Sequence, residues 1–225
     1  PPSPSSLAVW ASHDLALGQL RDRLTDDDVL KLELEFHGSL DCLTALSQRR
    51  CQMAGFHVPR GALSTLQLQQ YGGTLAGREL RVLHIADRRQ GIMTAAGNPR
   101  GLQGIADLAT PGLRFVNRQR GAGTRLLFDQ LLGAAGLKPR DIEGYTHEEH
   151  THAAVAATVA SGHADAAFGI EAAAREFGLE FVVVAEERYF LAATTSTWQR
   201  PAARRLAAIL RSDKFRAILE TLPGY

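Results

Sequence analysis

Cysteine is scarce in this sequence. Cys42 and Cys51 are the only two among 225 residues, and nothing around them has the spacing of a disulfide framework. We therefore expect two buried free thiols. This favours a reducing, cytoplasmic location, with the periplasm as the alternative, because proteins outside the membrane can also lack disulfides.

Long apolar runs and an excess of one charge are also missing. No run reaches 18 apolar residues, and the opening Pro1-Pro-Ser-Pro-Ser-Ser6 has neither the basic nor the apolar region of a signal peptide. Lysine and arginine number 25 against 24 acids, so the net charge of +1 does not indicate nucleic-acid binding by itself. We expect no membrane span, and residues 1–6 are typical of a linker.

Short apolar runs alternate with longer helical patterns along the chain. The strand-like runs are Leu7-Ala-Val-Trp10, residues 32–36, 52–56, 80–85, 113–116, 164–168 and 180–184. Helical patterns cover residues near 14–24, 40–49, 64–71, 123–135, 151–161 and 170–177. Such alternation predicts an α/β fold with mostly parallel sheets flanked by helices.

Two extended segments are longer than one strand requires. Residues 80–94 and 181–195 continue through the polar interruptions Asp87-Arg-Arg-Gln90 and Glu186-Glu-Arg188. We interpret both as crossovers, near 88–90 and 189–192, between two lobes. Lobe I would comprise residues 7–87 plus 193–225 and lobe II residues 91–188, with hinge bending around a ligand cleft between them.

Serine follows two successive strands of lobe I. Ser12 and His13 come after the first strand, and Gly38-Ser39 after the second. In open α/β sheets ligands lie beyond the carboxyl ends of strands, where the next helix presents free N–H groups. Each serine is either an ordinary helix N-cap or a ligand contact, and the occurrence of two serines at successive strand ends supports the ligand contact.

A glycine-rich basic loop separates the strand ending at Val116 from the helix starting near Leu126. Its Gly121 and Gly123 allow close backbone approach and Thr124 adds a hydroxyl, while the loop's positive charges are Arg118, Arg120 and Arg125. The loop lacks the Gly-Lys-Ser/Thr of a Walker A motif. It is either a surface loop or, as we prefer, an anion cradle.

Three histidines and two glutamates fall within residues 147–152. His147, His150 and His152 suggest a metal site, but His152 would not share a helical face with the other two. Thr151 is a suitable N-cap for the alanine-rich helix that follows. We favour a helix N-terminus, presented by Thr151 and His152, over a metal centre.

Several of these stretches together resemble periplasmic-binding-protein-like domains related to molybdate- and tungstate-binding proteins. Such domains are often fused to helix-turn-helix regulators or molybdopterin-biosynthesis proteins. The resemblance runs from Leu7 over nearly the whole chain, and its most specific parts are Ser12-His-Asp-Leu15, Gly38-Ser-Leu40, Phe115-Val-Asn-Arg-Gln-Arg-Gly-Ala-Gly-Thr-Arg125, Thr151-His152 and Ala156-Ala-Thr-Val-Ala-Ser-Gly162.

The resemblance implies a two-lobed type 2 binding-protein fold that holds a tetrahedral oxyanion, molybdate or tungstate, and needs no cofactor or metal. Ser12 and Ser39 match the family's two serines, and residues 118–124 its loop ending in Gly-Thr. Two positions depart from the pattern: Arg120 stands where tungstate-binding relatives carry an acid, and Ile170 where molybdate binders carry an aromatic hydroxyl.

We expect a ligand-binding effector domain of a transcriptional regulator, which would meet DNA only through a helix-turn-helix segment absent from this chain. The alternative is the extracytoplasmic receptor of an oxyanion ABC importer. An enzyme using His147, Glu148 or Asp165 has little support, because no nucleophile is paired with a base. A homodimer is compatible with the sequence, but no surface stripe demands one.

Overall fold

The computed structural model describes residues 6–24, 30–75 and 79–225. The strands are β1 (Ser6–Ala11), β2 (Lys31–Phe36), β3 (Met53–Pro59), β4 (Leu80–Thr94), β5 (Phe115–Arg118), β6 (Glu148–Glu149), β7 (Ala166–Ile170) and β8 (Glu180–Thr194). The helices are α1 (Leu15–Arg23), α2 (Ser39–Ser47), α3 (Leu63–Leu75), α4 (Gly123–Ala134), α5 (His152–Ala160), α6 (Glu171–Glu176), α7 (Thr195–Trp198), α8 (Pro201–Leu210) and α9 (Asp213–Glu220).

The chain divides into two compact units. The first contains residues up to Asp87 together with 188–223 and Tyr225, and the second contains residues 88–187 and Gly224. The second unit is therefore formed almost entirely by one continuous segment.

Three neighbouring strands form the parallel part of the first unit's sheet, whose order is β2-β1-β3-β8-β4. β1 pairs in parallel with both β2 and β3. Every residue of β3 is buried, which explains its nearly continuous apolar sequence. Its Phe56 packs edge-on against Tyr71 of α3, and Cys42 of α2 belongs to the same core.

Aromatic side chains form the centre of the second unit. Phe115 of β5 stacks on Phe128 of α4 with ring centroids 4.8 Å apart, and Phe128 lies 5.4 Å from Phe168 of β7. The strand order in this unit is β8-β4-β7-β5-β6. β5 runs parallel to β6 and β7.

The predicted element types are confirmed, with two differences in the sheet. β4 pairs with β7 in the antiparallel direction, and the two-residue strand β6 had no signal in the sequence. An alternating pattern of strands and helices predicts element types, whereas strand direction depends on how the chain enters the sheet. Ser6, assigned to the linker, is the first residue of β1, and residues 1–5 lie outside the described residues.

Two further expectations concern the thiols and the membrane. Cys42 and Cys51 are free and buried, as predicted. In the described part of the chain, no helix has the length and apolar character needed to cross a bilayer.

Candidate functional site

Arg118, the last residue of β5, is a buried cation in the second unit. The residue is 3% exposed. Its Nη2 donates to the carbonyl of His150 over 3.1 Å and its Nε to Oε1 of Gln119 over 3.2 Å. Burial first, and the nearby charge of Arg88 second, lower the pKa of Arg118 to about 10. The guanidinium is therefore charged at neutral pH, and within the described residues it forms no ion pair.

The neighbouring Arg88 has a carboxylate partner. Its Nε donates to Oε1 of Glu187 over 2.9 Å, and both side chains are only 1% exposed. Oε1 of Glu187 also accepts from Nε2 of Gln90 over 2.9 Å. This carboxylate is thus held by Arg88 and Gln90, whereas the nearby Arg118 has no carboxylate partner among the residues that the structure describes.

The N-terminus of α4 follows Arg118 after a short turn. Gly121 has φ of 85°, a left-handed conformation that glycine adopts without strain. The N-cap is Ala122, which has no side chain able to cap the helix, so the first N–H groups of α4 receive no side-chain cap. Oγ1 of Thr124 accepts from Nε2 of Gln90 over 3.0 Å. Its hydroxyl hydrogen is therefore available to donate.

The N-terminus of α5 is the second helix start near Arg118. Thr151 is its N-cap, as predicted, and accepts from the backbone N–H of Ala154 over 3.0 Å. Arg118 bonds the carbonyl of His150, the residue just before this cap. His152 is the first residue of the helix and is 2% exposed. Arg118 therefore lies where α4 and α5 both begin.

Arg125 is buried like Arg118, but its hydrogen-bonding groups are occupied. Its Nε donates to Asp129 over 3.1 Å, and its Nη1 donates to Oε1 of Glu148 over 3.1 Å and to the carbonyl of Arg118 over 2.9 Å. The guanidinium carbon lies 4.1 Å from the centroid of the Tyr145 ring. These contacts indicate that Arg125 stabilises the loop and that its charge is balanced by Asp129 and Glu148.

Arg120, another predicted contact in this loop, points away from the buried groups. Its side chain is 82% exposed, and its Nε lies 3.7 Å from Oε1 of Glu148. An arginine exposed in this way affects an anion only through a long-range electrostatic attraction, which solvent and salt screen. Of the three arginines in this loop, Arg118 is thus the buried one that has no carboxylate partner in the part of the chain that the structure describes.

In the first unit, Asp14 rather than Ser12 caps α1, which rules out the N-cap alternative for Ser12. The Asp14 carboxylate accepts from the N–H of Leu17 over 2.9 Å and from the hydroxyl of Tyr225 over 2.8 Å. Aspartate and serine are both preferred N-caps, so composition alone does not choose between them. Ser12 is buried, and its Oγ lies 2.7 Å from Nδ1 of His57.

The other two predicted contacts of the first unit, Ser39 and His13, lie in different environments. Ser39 is the first residue of α2 and not its N-cap, so the N-cap alternative is wrong for this serine too, and the residue is fully buried. Its Oγ has no hydrogen-bond partner in the described part of the chain. Gly38 is the N-cap and supplies no side-chain cap. His13 is half-buried with its ring centroid 4.9 Å from that of Phe36.

The histidine cluster does not form a metal centre. Over residues 6–24, 30–75 and 79–225, no three histidine, cysteine, aspartate or glutamate side chains are placed to hold an ion. His147 instead accepts the N–H of Asn117 through its backbone carbonyl, over 2.8 Å. The segment around these histidines aligns β6 beside β5.

Gln90 and Glu187 were not among the predicted site residues. Both lie in the polar interruptions interpreted only as crossovers. The available signal was a polar residue within an otherwise apolar strand: the structure shows both residues to be buried, and Gln90 donates to Thr124 and to Glu187.

The fold and these groups together define a ligand-binding α/β domain. The family model of the PBP superfamily domain, named for periplasmic binding proteins, matches residues 22–211, and the chain belongs to this superfamily. The family contains binding proteins and regulatory domains rather than enzymes, in agreement with our expectation that this chain is not an enzyme.

Two curated proteins are similar to the chain. The uncharacterized protein YvgK of Bacillus subtilis (strain 168) is 30% identical over 191 residues, which cover 85% of this chain and 61% of that protein. This chain therefore spans less than two thirds of that relative's length. An uncharacterized protein from the 5′ region of a 2Fe-2S ferredoxin gene of Clostridium pasteurianum is 36% identical over 101 residues, covering 44% of this chain and 89% of that protein.

Solved structures share the fold at low identity. A Clostridium perfringens protein, described as a phosphate ABC transporter substrate-binding protein and containing bound phosphate, matches with a TM-score of 0.70 and 12% identity over 98% of this chain and 99% of that one. A sulfate-bound mutant of the OxyR2 regulatory domain from Vibrio vulnificus matches with a TM-score of 0.60 and 15% identity over 93% and 97%. They confirm the predicted type 2 binding-protein fold, whereas the ligand and the compartment stay predictions.

Proposed function

We propose that this chain is a ligand-binding sensor domain for a tetrahedral oxyanion, with Arg118 as its charged contact. The observation that carries the proposal is the burial of this guanidinium without a carboxylate partner among the described residues. An unpaired buried charge costs several kcal/mol of desolvation. A bound anion would offset that cost and is itself favoured by the N-termini of α4 and α5.

The ligand contacts we assign in the second unit all donate hydrogen bonds. They are the guanidinium of Arg118, the hydroxyl of Thr124 and the N–H groups of the first turns after Ala122 and Thr151. The Thr124 oxygen is already an acceptor for Gln90, which leaves its hydrogen for the ligand. A ligand that carries its own proton finds no acceptor in this set. The arrangement therefore favours fully deprotonated dianions over hydrogen phosphate.

Molybdate and tungstate are the dianions we propose, because the loop from Arg118 to Thr124 resembles that of their binding proteins. The phosphate bound to the Clostridium perfringens protein and the sulfate bound to the OxyR2 domain support the broader class of tetrahedral oxyanions. Ser39 of the first unit stays a prediction; its buried hydroxyl has no hydrogen-bond partner within the described ranges.

For the role of the domain, we propose a regulator that senses the anion. The likeness to an OxyR2 regulatory domain supports this role, and the likeness to the phosphate transporter substrate-binding protein of Clostridium perfringens supports the alternative of an importer receptor. The ligand that we propose for this chain is the same for the regulator and for the importer receptor. Sequencing the remainder of the full-length protein would separate them, since a DNA-binding segment indicates a regulator and a cleavable leader indicates a receptor.

Isothermal titration of the chain with molybdate, tungstate, sulfate and phosphate tests the ligand. We expect one dianion to bind tightly and Arg118→Gln to lose affinity by about 100-fold or more, as when one partner of a buried charge pair is removed. Arg120→Gln is the matched control, because it removes the same charge only two residues further along the chain. The Arg120 side chain is 82% exposed. Its effect should stay within about 3-fold.

Two outcomes would contradict the proposal. If none of the four anions produces heat, the oxyanion assignment is wrong, although the fold stands. If Arg118→Gln and Arg120→Gln weaken binding equally, the anion is attracted by the loop's overall charge, and the buried guanidinium is not its contact.

A further inference from the structure

The first unit contains a basic pocket, which we call the Trp198 pocket. It has a volume of about 530 Å³ and lies between the start of β4 and helices α7 and α8. The residues that concern us in its lining are Arg81, Val82, Trp198, Arg204 and Arg211. The pocket lies entirely within one unit and shares no residue with the oxyanion contacts proposed above.

The three arginines of the Trp198 pocket are exposed and have no acidic partners among the described residues. No ion pair joins Arg81, Arg204 or Arg211 to a carboxylate in the described ranges. Arg204 and Arg211 are seven positions apart along α8 and its C-cap, so they lie on the same side of the helix about 10 Å apart. Guanidinium groups bind phosphate oxygens in pairs of parallel hydrogen bonds. A ligand with more than one negative charge suits this spacing.

The same lining offers an apolar wall with an aromatic ring. Trp198 is half-buried, and its Nε1 donates to the carbonyl of Arg81 over 3.0 Å. This bond fixes the indole and uses its only donor, so its remaining interactions are those of a flat ring. Val82 beside it is 59% exposed, although it is a β-branched apolar residue. The pocket therefore combines a planar apolar surface with three positive charges.

We propose that the Trp198 pocket binds a mononucleotide-like ligand, an aromatic base joined to phosphate groups. The base stacks on the Trp198 indole, and the phosphates bind the guanidinium groups of Arg81, Arg204 and Arg211. The volume lies within the usual range for small-ligand sites, about 300–1,000 Å³. Because the guanidinium groups are solvent-exposed, binding weakens as salt rises.

Titration calorimetry of the whole chain with ADP, adenosine and inorganic phosphate tests this proposal. We expect ADP to bind at least about 10-fold more tightly than either half at about 50 mM salt, and to weaken at about 500 mM. The double variant Arg204→Gln/Arg211→Gln should reduce ADP affinity by about 5-fold or more. The control Arg140→Gln/Arg216→Gln removes the same charge outside the pocket and should change affinity by less than about 2-fold. Thermal unfolding checks that all variants are folded.

A second pair of variants tests the ring and separates the two sites. Trp198→Phe keeps a stacking surface and should retain ADP binding, whereas Trp198→Leu should reduce it. Arg118→Gln should bind ADP as the unaltered chain does, because the Trp198 pocket does not include it. The proposal would be overturned if ADP did not bind, or if phosphate alone bound as tightly as ADP. It would also be overturned if the pocket double variant and the control double variant lost the same affinity for ADP. A single-stranded oligonucleotide or an acidic peptide that binds more tightly than ADP at the same salt would overturn it as well.

Discussion

Gln90 and Thr124 are joined by a hydrogen bond of 3.0 Å from Nε2 of the amide to Oγ1 of the hydroxyl, and both residues are buried. The same Nε2 lies 2.9 Å from Oε1 of Glu187. One amide on β4 therefore fixes the orientation of a hydroxyl in the first turn of α4. It also helps to hold the carboxylate that pairs with Arg88.

This arrangement predicts a double effect of Gln90→Met. The substitution keeps the side-chain length but removes both hydrogen bonds, one of them to a charged group, and should lower the free energy of unfolding by about 1–3 kcal/mol. Affinity for the oxyanion should fall on the order of 10-fold, because Thr124 is no longer oriented. Urea unfolding and calorimetry measure the two effects. Gln69→Met, at an exposed position of α3, is the control, and equal behaviour of both variants would contradict the prediction.

The two buried arginines of the loop should respond differently when no anion is present. Arg118→Met relieves the desolvation cost of an unpaired charge but also removes the hydrogen bonds to the His150 carbonyl and to Gln119. Because these two effects offset each other, the free energy of unfolding should fall by less than about 1 kcal/mol. Arg125→Met leaves Asp129 and Glu148 without their shared cation and should cost about 1–3 kcal/mol, allowing for the partial exposure of both acids. Urea unfolding of both variants in anion-free buffer decides this. A larger loss for Arg118→Met would show that its charge is balanced.

Ser39 and Ser12 differ in what their hydroxyls contact. The Ser39 hydroxyl has no partner in the described structure, so Ser39→Ala should leave stability unchanged or slightly raised. Ser12→Ala breaks the 2.7 Å contact with His57 and should cost about 1 kcal/mol. Urea unfolding of the two variants measures the difference, and equal costs would contradict the prediction.

Asp165 predicts a stability difference that depends on pH. The Arg114 side chain, 2.9 Å away, lowers the Asp165 pKa to about 2, and the Arg114 backbone N–H adds to the effect. The stabilisation is therefore present above the unfolded pKa of about 3.9 and is lost as pH falls towards 2. Asp165→Asn should lower the urea midpoint at pH 7, and the difference should shrink towards about pH 3.

The control for this titration is Asp213→Asn, whose carboxylate is 92% exposed beside Arg216. Exposed pairs contribute little, so its midpoint should follow that of the unaltered chain at both pH values. A difference for Asp165→Asn that stays constant with pH would mean that the side chain's shape, and not its charge, stabilises the loop.

Alanine substitutions at Gly144 and Gly162 distinguish the cost of steric overlap from the cost of backbone strain. Both have positive φ, 88° and 74°, so alanine is strained at either position. A Cβ at Gly144 would overlap the Phe115 carbonyl, whereas one at Gly162 meets nothing within 4 Å. We expect Gly162→Ala to cost about 1 kcal/mol and Gly144→Ala about 2–4 kcal/mol in urea unfolding. Similar costs would show that β5 moves aside easily.

Local signals in the sequence predicted the parts of the site that are local in the chain. Arg118, Gly121 and Thr124 follow one another between a strand and a helix, and the pattern of glycine, hydroxyl and charge is readable without a structure. Thr151 was predicted as an N-cap for the same reason. Each of these groups depends mainly on its own few neighbours.

Long-range contacts explain what the sequence did not predict. Arg125 has the same composition signal as Arg118, yet Glu148, 23 positions away, helps to balance its charge. Gln90 reaches Thr124 across 34 positions and Glu187 across 97. Which arginine stays unpaired depends on these distant partners, and residue patterns within one segment do not contain that information.

The bond between Arg88 and Glu187 joins the first and last residues of the continuous segment that builds the second unit. The two ends of that segment are thus held together by a bond between two of its own residues. A piece of chain with this property can be cut out and inserted into a loop of another protein without stretching either end. Residues 88–187 are accordingly a segment suited to moving the loop that we propose as the anion contact into a new host.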